Sequence, residues 1–187
     1  QPLRASRLIE TPTQAAHFVS LLAHVRDRAA MGGGSSAADV WRTTHATLAA
    51  RRGETEEHAL LLCSLLLGFG LDAYVCIGTD GRGPHVWVLT RAGTGVQAAC
   101  TFWESLSGQT YDVAVGGVGM GGGHPYLTLA CLFSHEAFYA NTQPSCALDT
   151  SFSLDLSDKA AWKSMEPSLL KSITPLPCAP LTPPALT

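Results

Sequence analysis

The chain has 187 residues, of which 46% are hydrophobic and 14% charged, with a formal net charge of −3 and a pI near 6.1. This length and apolar content suffice for one sizeable core, since domains ordinarily span about 100–200 residues. The charge balance, with no cluster of Lys or Arg on one predicted face, argues against nucleic-acid binding, and apolar runs well short of about 18 residues argue against a membrane span.

Two helical patterns open the chain. Residues 11–14, TPTQ, are typical of a helix start with proline in the first turn and glutamine completing a capping box. Apolar residues then recur at helical spacing as far as Val25, before the MGGGSS run at residues 31–36. A second helix is predicted from near Ser36 to Gly53.

A third helix is predicted in RGETEEHALLLCSLLLGFG, residues 52–70. It lacks a polar face over residues 59–67, so we expect it to lie inside the domain. Considered alone, Thr55 is predicted to be its N-cap, accepting an amide hydrogen bond from the first turn. Glu56 and Glu57 then complement the positive end of the helix dipole.

After the third helix the pattern changes to strands joined by short glycine-rich connections, which favours the hairpins of an antiparallel sheet. Helices followed by such a sheet predict an α+β domain with the third helix packed on the sheet. The predicted strands are AYVCIG from Ala73, HVWVLT from His85, VQAACTFW from Val96, YDVAV from Tyr111 and YLTLACLF from Tyr126.

Glycine and proline mark two further segments. GGVGMGGG, residues 116–123, contains a formal G-x-G-x-x-G, but a strand pattern follows it where a phosphate-binding loop would open a helix. We therefore predict a flexible insertion there. The proline-rich stretch 174–187 is predicted to be a tail or linker beyond a domain at 1–173, and these ends favour a piece of a longer protein.

The six cysteines show no C-x-x-C spacing, and most lie in apolar runs. They are predicted to be buried free thiols in a reducing compartment. The seven histidines are equally scattered, so neither a metal site nor a cofactor is expected. The cysteines are Cys63, Cys76, Cys100, Cys131, Cys146 and Cys178.

Three separated positions follow the order of a nucleophile, a histidine and an acid. Thr55 stands at the head of the buried helix, His85 opens the HVWV strand, and Glu104 follows the TFW strand. His85 is either a remnant of such a triad or a strand-end histidine bonded to Glu104. His58, three residues after Thr55, either borders a cleft or bonds to a backbone carbonyl.

Two tryptophans flank the same predicted strands. Trp87 lies within HVWV, and Trp103 directly precedes the candidate acid. Large aromatic side chains at such positions belong to the core or to the wall of a cleft.

The patterns GxxxxHALLL, GFGLDAYVCIG, PHVWV and FWESLSG resemble the transglutaminase-like superfamily, whose members carry a Cys-His-Asp triad on a papain-like fold. HALLLCSLLLGFGLDAYVCIGT, TFWESLSGQTY and FYANTQPSCALDTSFSLDLSDKAAWKSM are similar to the family of the centrosomal protein of 76 kilodaltons, and more distantly to the ciliary coiled-coil and C2 domain proteins. The likeness spans about residues 41–173. It places the nucleophilic cysteine on Thr55, the histidine on His85 and the aspartate on Glu104.

The resemblance also implies a location and partners. It implies a cytoplasmic protein of centrioles and ciliary basal bodies in which C2-type domains precede this one, and which limits centriole re-duplication. The implied partners are other centriolar or ciliary proteins, with tubulin tail peptides as candidates if a cleft persists.

The chain departs from this family at the nucleophile. An aliphatic hydroxyl stays protonated where a thiol ionises near a helix N-terminus, and Glu54 adds a further carboxylate beside Thr55. We therefore predict a catalytically inactive domain retained as a protein- or peptide-binding scaffold. A cysteine-type amidase or peptidase using another thiol, and a purely architectural domain, are the alternatives. An open polar cleft near His85 would favour binding, and one filled by aromatic side chains would favour architecture.

Overall fold

The computed structural model describes residues 9–25, 41–95, 98–113 and 123–165. Within these ranges the chain forms three helices and nine strands. The helices are α1 at Pro12–Ser20, α2 at Thr44–Ala50 and α3 at Thr55–Gly68. The strands are β1 at Ala23–His24, β2 at Arg52–Gly53, β3 at Asp72–Asp80, β4 at Gly83–Ala92, β5 at Ala99–Trp103, β6 at Thr110–Val113, β7 at Tyr126–Phe133, β8 at Phe138–Asn141 and β9 at Trp162–Met165.

Seven strands form one antiparallel sheet in the order β6-β5-β4-β3-β7-β8-β9. Because successive side chains alternate between the faces of a strand, Val86 and Val88 pack with α3 while Trp87 and Leu89 pack in a second core on the other face. Helix α3 lies on β3 and β4, and α1 packs against α3. The predicted α+β class, with a buried central helix on an antiparallel sheet, is confirmed.

Helix α1 begins as predicted. Thr11 is its N-cap, and the reciprocal bonds of a capping box join Thr11 and Gln14. The predicted continuation to Val25 is wrong, because the helix ends at Ser20. The chain then turns into β1, which pairs in parallel with β2 directly before α3, so the backbone is extended where a further helical turn was expected.

The predicted start of α2 is also wrong. Residues 41–43 are not helical, and the Thr43 side chain caps the helix by accepting a hydrogen bond from the amide of Ala46. The helix ends at Ala50, three residues before the predicted end at Gly53, and its C-cap Arg51 has a left-handed φ of 55°. Ser36 and the MGGGSS run lie outside the described residues.

The five predicted strands correspond to β3 through β7, while β8 and β9 were not predicted. All four residues of β8, FYAN, are half-buried. The strand therefore lacks the alternation of buried apolar and exposed polar residues from which a strand is predicted. Val96, residues 116–122 of the glycine-rich run and the proposed boundary at residue 173 lie outside the described residues. No helix in the described part of the chain has both the length and the hydropathy needed to cross a membrane.

Candidate functional site

Glu104 is the centre of a hydrogen-bond network at one end of the sheet. Because β5 is antiparallel to β4, the residue after β5 lies beside the beginning of β4, where His85 is found. His85 Nε2 lies 2.7 Å from Glu104 Oε2, and the Tyr126 hydroxyl donates to the same oxygen at 3.1 Å. The amide of Leu106 donates to Oε1 at 3.1 Å, so this buried carboxylate accepts three hydrogen bonds.

This network raises the pKa of His85. Burial by itself lowers the pKa of the imidazole, but the hydrogen bond to Glu104, the charge of Glu104 and the more distant charges of Asp80 and Glu56 together raise it above its usual value. Because Nε2 is bonded to Glu104, Nδ1 is the ring nitrogen that can exchange a proton with another group.

Aromatic rings enclose the His85–Glu104 pair. The rings of Trp87 and Tyr126 stack with centroids 4.1 Å apart, and the His85 ring is stacked beside them at 6.3 and 5.9 Å. The His85 side chain is 15% exposed as a result. Trp87 is fully buried and Trp103 nearly so, with Trp103 Nε1 donating to the Thr90 hydroxyl at 2.8 Å. Of the two alternatives for the tryptophans, the structure shows core residues.

Thr55 is the first helical residue of α3, and the N-cap is Glu54, whose backbone is extended. The prediction that Thr55 is the N-cap is therefore wrong, because the helix begins at Thr55 itself, one residue earlier than that role requires. The Thr55 hydroxyl instead lies 3.2 Å from His24 Nε2 on β1. His24 was not identified from the sequence, since the pattern there indicated helix.

The structure joins two of the three triad positions directly. His85 bonds to Glu104, whereas the hydrogen bond found for Thr55 leads to His24. Glu56, the next residue after Thr55, is near enough for its charge to raise the pKa of His85, so the head of α3 and His85 share an electrostatic environment. A direct approach of Thr55 to His85 stays a prediction.

A second buried carboxylate secures the head of α3. Glu57 Oε1 accepts from the amide of Arg42 at 2.9 Å and from its Nε at 3.0 Å. Glu57 Oε2 accepts from the amide of Glu54 at 3.1 Å. From the sequence, Glu57 was predicted only to complement the helix dipole. In the structure its ion pair with Arg42 also holds residues 41–43 against α3.

His58 is fully buried and does not line an open cleft. Its Nδ1 lies 2.7 Å from the carbonyl oxygen of Glu54, and since a carbonyl only accepts, Nδ1 carries the proton. Its Nε2 lies 3.4 Å from the carbonyl oxygen of Leu22. The alternative in which His58 bonds to backbone carbonyls is therefore the one the structure shows.

The prediction of buried thiols is correct for three cysteines, Cys63, Cys76 and Cys100. It is wrong for Cys146, which is exposed, and for Cys131, which is only half-buried; Cys178 lies outside the described residues. Burial raises the pKa of Cys63 to about 12 and that of Cys76 well above its usual value. Burial also raises the pKa of the Cys100 and Cys131 thiols, which disfavours the reactive thiolate at all four positions.

Sequence reasoning named Tyr126 only as the start of a strand and missed its bond to Glu104. The bond depends on the sheet order, in which β4 and β7 both flank β3 and begin at the same end of the sheet, and the sequence does not reveal that order. Within the described ranges, no three His, Cys, Asp or Glu side chains are grouped to hold a metal ion.

Comparison with known proteins gives a consistent family. The family described as the CEP76 peptidase-like domain matches residues 39–165. Centrosomal protein of 76 kDa from Homo sapiens is 44% identical over 191 residues, covering 96% of this chain and 27% of that protein, and the Xenopus tropicalis protein is 44% identical over 188 residues with the same coverage. Protein CC2D2B from Homo sapiens is 30% identical over 152 residues, covering 81% of this chain and 10% of that protein. The chain thus spans about a quarter of the length of its centrosomal relatives.

Among solved structures, Legionella pneumophila LapG in a calcium-bound form superimposes with a TM-score of 0.54, covering 87% of this chain and 78% of that one. The two sequences are 14% identical. At that identity the likeness supports a common fold and no further property.

Proposed function

The chain belongs to the family of the CEP76 peptidase-like domain, as the resemblance indicated, and from that premise we propose that it is a catalytically inactive, transglutaminase-like module that binds other centriolar or ciliary proteins. Its location would be the centrosome or the ciliary basal body, where a scaffold of this kind would help to limit centriole re-duplication. The relatives' name supports the location, since the chain is 44% identical to a protein called centrosomal.

One observation carries the proposal of inactivity. The acid and histidine positions are hydrogen-bonded to each other, whereas the nucleophile position holds a threonine bonded to His24. A threonine hydroxyl stays protonated unless a base activates it, and the hydrogen bond found for Thr55 leads to His24 and not to His85. Glu54 and Glu56 add negative charge beside Thr55, which opposes the oxyanion of an acyl-transfer reaction.

A residual cysteine-type amidase or peptidase finds little support. Burial raises the pKa of each of the four thiols discussed above, and Cys63 lies eight residues along α3 from Thr55, about 12 Å at 1.5 Å per residue. A thiol there is too far along the helix to act with a base at its N-terminus.

The charges near His85 favour one kind of partner. Glu56, Asp80 and Glu104 all act on this position with negative charge. Segments of centriolar proteins that carry Lys or Arg therefore suit this end of the domain better than acidic tubulin tails, which we retain as the competing ligand to test.

The test of inactivity uses peptide-based electrophilic probes on the purified chain, followed by mass spectrometry. We expect no labelling at Thr55 and no amidase or transamidase turnover. Exposed Cys146 should react with simple iodoacetamide in the wild-type and in His85→Ala, which shows that the reagent is active. Stoichiometric probe labelling that disappears in His85→Ala would overturn the proposal.

The test of binding compares the wild-type with Glu56→Lys and with a matched control, Glu136→Lys, whose side chain is 80% exposed. Fluorescent Lys-rich and Glu-rich peptides of equal length are titrated onto each variant at physiological salt. We expect the basic peptide to bind more tightly, and only Glu56→Lys to weaken it. Preference for the acidic peptide would support tubulin tails instead.

A purely architectural role is the second candidate, because one observation favours it. Trp87 and Tyr126 pack against His85, so aromatic side chains occupy the space where an open cleft was sought. If neither peptide binds and the wild-type domain retains no centriolar protein, this second function replaces the first.

A further inference from the structure

A cavity of about 360 Å³ lies between α3 and strand β7. Helix α3 contributes Leu60, Cys63 and Leu67, which share one face of the helix because they are three and four residues apart. The sheet contributes Val75 and Phe133, which are paired across β3 and β7 and share the face on which α3 packs. These five side chains give the cavity an apolar floor.

The cavity opens to solvent. Although the sequence predicted that α3 lies inside the domain, Leu60 and Leu67 are only half-buried, and so is Phe133. Thr43 and His135, which line the same cavity, are exposed. A cavity of roughly 150 Å³ is enough for one benzene ring, so a volume of about 360 Å³ has room for one or two large apolar side chains.

Hydroxyl groups at the rim of the cavity are available as hydrogen-bond donors. Thr43 and Ser134 both line it. The amide of Ala46 donates to the Thr43 hydroxyl at 3.3 Å, and the amide of Glu136 donates to the Ser134 hydroxyl at 3.2 Å. Since each hydroxyl oxygen already accepts a bond, its hydrogen remains to be donated. The rim therefore suits the oxygen atoms of carboxylate and carbonyl groups.

Arg42 adds a positive charge at this rim. Its backbone amide and Nε both donate to Glu57 Oε1, at 2.9 and 3.0 Å, which fixes the guanidinium group. The two terminal nitrogens carry four of the five guanidinium donors and bond to no other residue in the described part of the chain. The Arg42 side chain is 36% exposed, so these donors are accessible.

The carboxylates near Arg42 do not satisfy these outer donors. Glu57 is only 3% exposed and already accepts three hydrogen bonds. Glu136, beside His135, is 80% exposed, so solvent screens its charge. The outer edge of the Arg42 guanidinium therefore suits an incoming carboxylate, which arginine binds through two parallel N–H groups.

We propose that this cavity binds an acidic and apolar segment of a partner protein. One or two large apolar side chains of the segment fill the floor between α3 and β7, and a neighbouring carboxylate binds Arg42. A peptide also has backbone carbonyl groups that accept from the hydroxyls of Thr43 and Ser134, whereas a free fatty acid does not. The segment differs in charge from the basic one suited to the His85 end, so the inference does not depend on the function proposed there.

Fluorescence anisotropy of labelled peptides on the full chain at physiological salt tests the chemistry of the partner. Four short peptides of equal length carry the central sequence Leu-Phe-Glu, Leu-Phe-Gln, Leu-Phe-Lys or Ala-Ala-Glu. We expect the first to bind most tightly and each of the others about tenfold or more weakly, since each lacks either the carboxylate or the apolar side chains. Equal affinities, no binding, or displacement of the first peptide by decanoate at lower concentration than by the unlabelled peptide would overturn the proposal.

Variants of the cavity lining test the place of binding. Leu67→Trp fills the cavity with an apolar side chain and should weaken the Leu-Phe-Glu peptide by about tenfold or more, with Leu60→Trp as the second variant if the first does not fold. Leu127→Trp, at a side chain that is 53% exposed and outside the lining, is the matched control and should bind normally. Circular dichroism checks that each variant is folded.

A charge variant separates recognition from a structural effect. Arg42→Gln should abolish the preference for the Leu-Phe-Glu peptide over the Leu-Phe-Gln peptide, whereas damage to the fold would weaken both peptides equally. Arg82→Gln, at an exposed arginine outside the lining, is its control and should keep the preference. An unchanged preference in Arg42→Gln would contradict the assignment of the carboxylate to this residue.

Photo-crosslinking locates the bound segment directly. A Leu-Phe-Glu peptide with benzoylphenylalanine in place of phenylalanine should crosslink to residues 60–67 or 133–135, and crosslinks confined to the His85 end would overturn the proposal. Glu56→Lys should not weaken this peptide, and Leu67→Trp should leave binding of the basic peptide unchanged. Failure at this cavity is therefore distinguishable from failure at the His85 end.

Discussion

Glu57 and Glu104 are two buried carboxylates with similar hydrogen-bonded surroundings. Glu57 at the head of α3 accepts hydrogen bonds from two groups of Arg42 and from the amide of Glu54. Glu104 at the end of β5 accepts from His85, Tyr126 and the amide of Leu106. Only Glu104 lies at a position that corresponds to a catalytic residue of the transglutaminase-like superfamily. Each of the two carboxylates nevertheless accepts hydrogen bonds from three donors.

The comparison shows that retention of the acid and the histidine is poor evidence of catalysis. A buried carboxylate needs hydrogen-bond donors whether or not a reaction occurs nearby, and removal of one partner leaves the others unsatisfied. His85 and Glu104 therefore have a structural reason to persist. A nucleophile on the half-buried surface at the start of α3 has no such constraint, because many residues can be the first in a helix.

The largest expected effect is that of Glu104→Ala, which should lower the free energy of unfolding by about 2–4 kcal/mol. It leaves the hydroxyl of Tyr126, a residue only 2% exposed, without this acceptor. Glu57→Ala should cost less, about 1–3 kcal/mol, because Arg42 is 36% exposed and can be solvated. Urea denaturation measures both changes.

The exposed Glu136→Ala is the control for these two variants and should change stability by less than about 0.5 kcal/mol. Glu104→Gln keeps an acceptor oxygen and should lie between the wild-type and Glu104→Ala. Equal stability of Glu104→Ala and Glu136→Ala would mean that the network around Glu104 does not support the fold.

Tyr126→Phe should have a smaller effect, about 1 kcal/mol of destabilisation. It removes one donor to Glu104 and keeps the ring that stacks on Trp87. Combined with Glu104→Ala, it should cost almost nothing further, since the bond has already gone. Additive losses in this double-mutant cycle would show that the hydroxyl acts independently of Glu104.

The pH dependence of stability should reflect the raised pKa of His85. A group whose pKa is higher in the folded state stabilises the fold fully below its unfolded pKa, near 6.5, and loses that contribution as pH rises through the folded value. The stability difference between the wild-type and His85→Gln should therefore shrink from pH 5.5 to pH 8.5. In a Glu104→Gln background, denaturation midpoints should show no such trend, and an unchanged trend there would place its cause elsewhere.

Much of the fold was predictable because its signals are local. The capping box at Thr11 and Gln14, the apolar run of α3 and the glycine-rich hairpins each depend on neighbouring residues. The predictions were wrong where tertiary contacts determine the backbone conformation. The chain after α1 becomes a strand only because β2 is there to pair with it, and the Arg42–Glu57 ion pair draws extended backbone onto α3.

The site was predictable only in part for the same reason. The order of His85 and Glu104 in the chain indicated a pair, and the adjacent strands β4 and β5 bring them together. Neither His24 nor the hydroxyl of Tyr126 had a local signal, because each meets its partner through distant chain segments, 31 residues away for His24 and Thr55.

The smallest expected effect is on activity, when a thiol is placed at the nucleophile position. Thr55→Cys would gain the α3 N-terminus, but Glu54 and Glu56 disfavour a thiolate, and the carboxylate of Glu104 extends one methylene further than an aspartate would. A displacement of about 1 Å in such a constellation costs on the order of a hundredfold in rate, so we expect ester hydrolysis close to background. Thr55→Cys alone and with Glu104→Asp are compared by hydrolysis rate and by alkylation rate against pH, with Thr55→Val as the control that lacks a nucleophile. Full activity of the single variant, with a thiol pKa well below that of a free cysteine, would contradict this prediction. It would show that the N-terminus of α3 and the His85–Glu104 pair are both still arranged for catalysis.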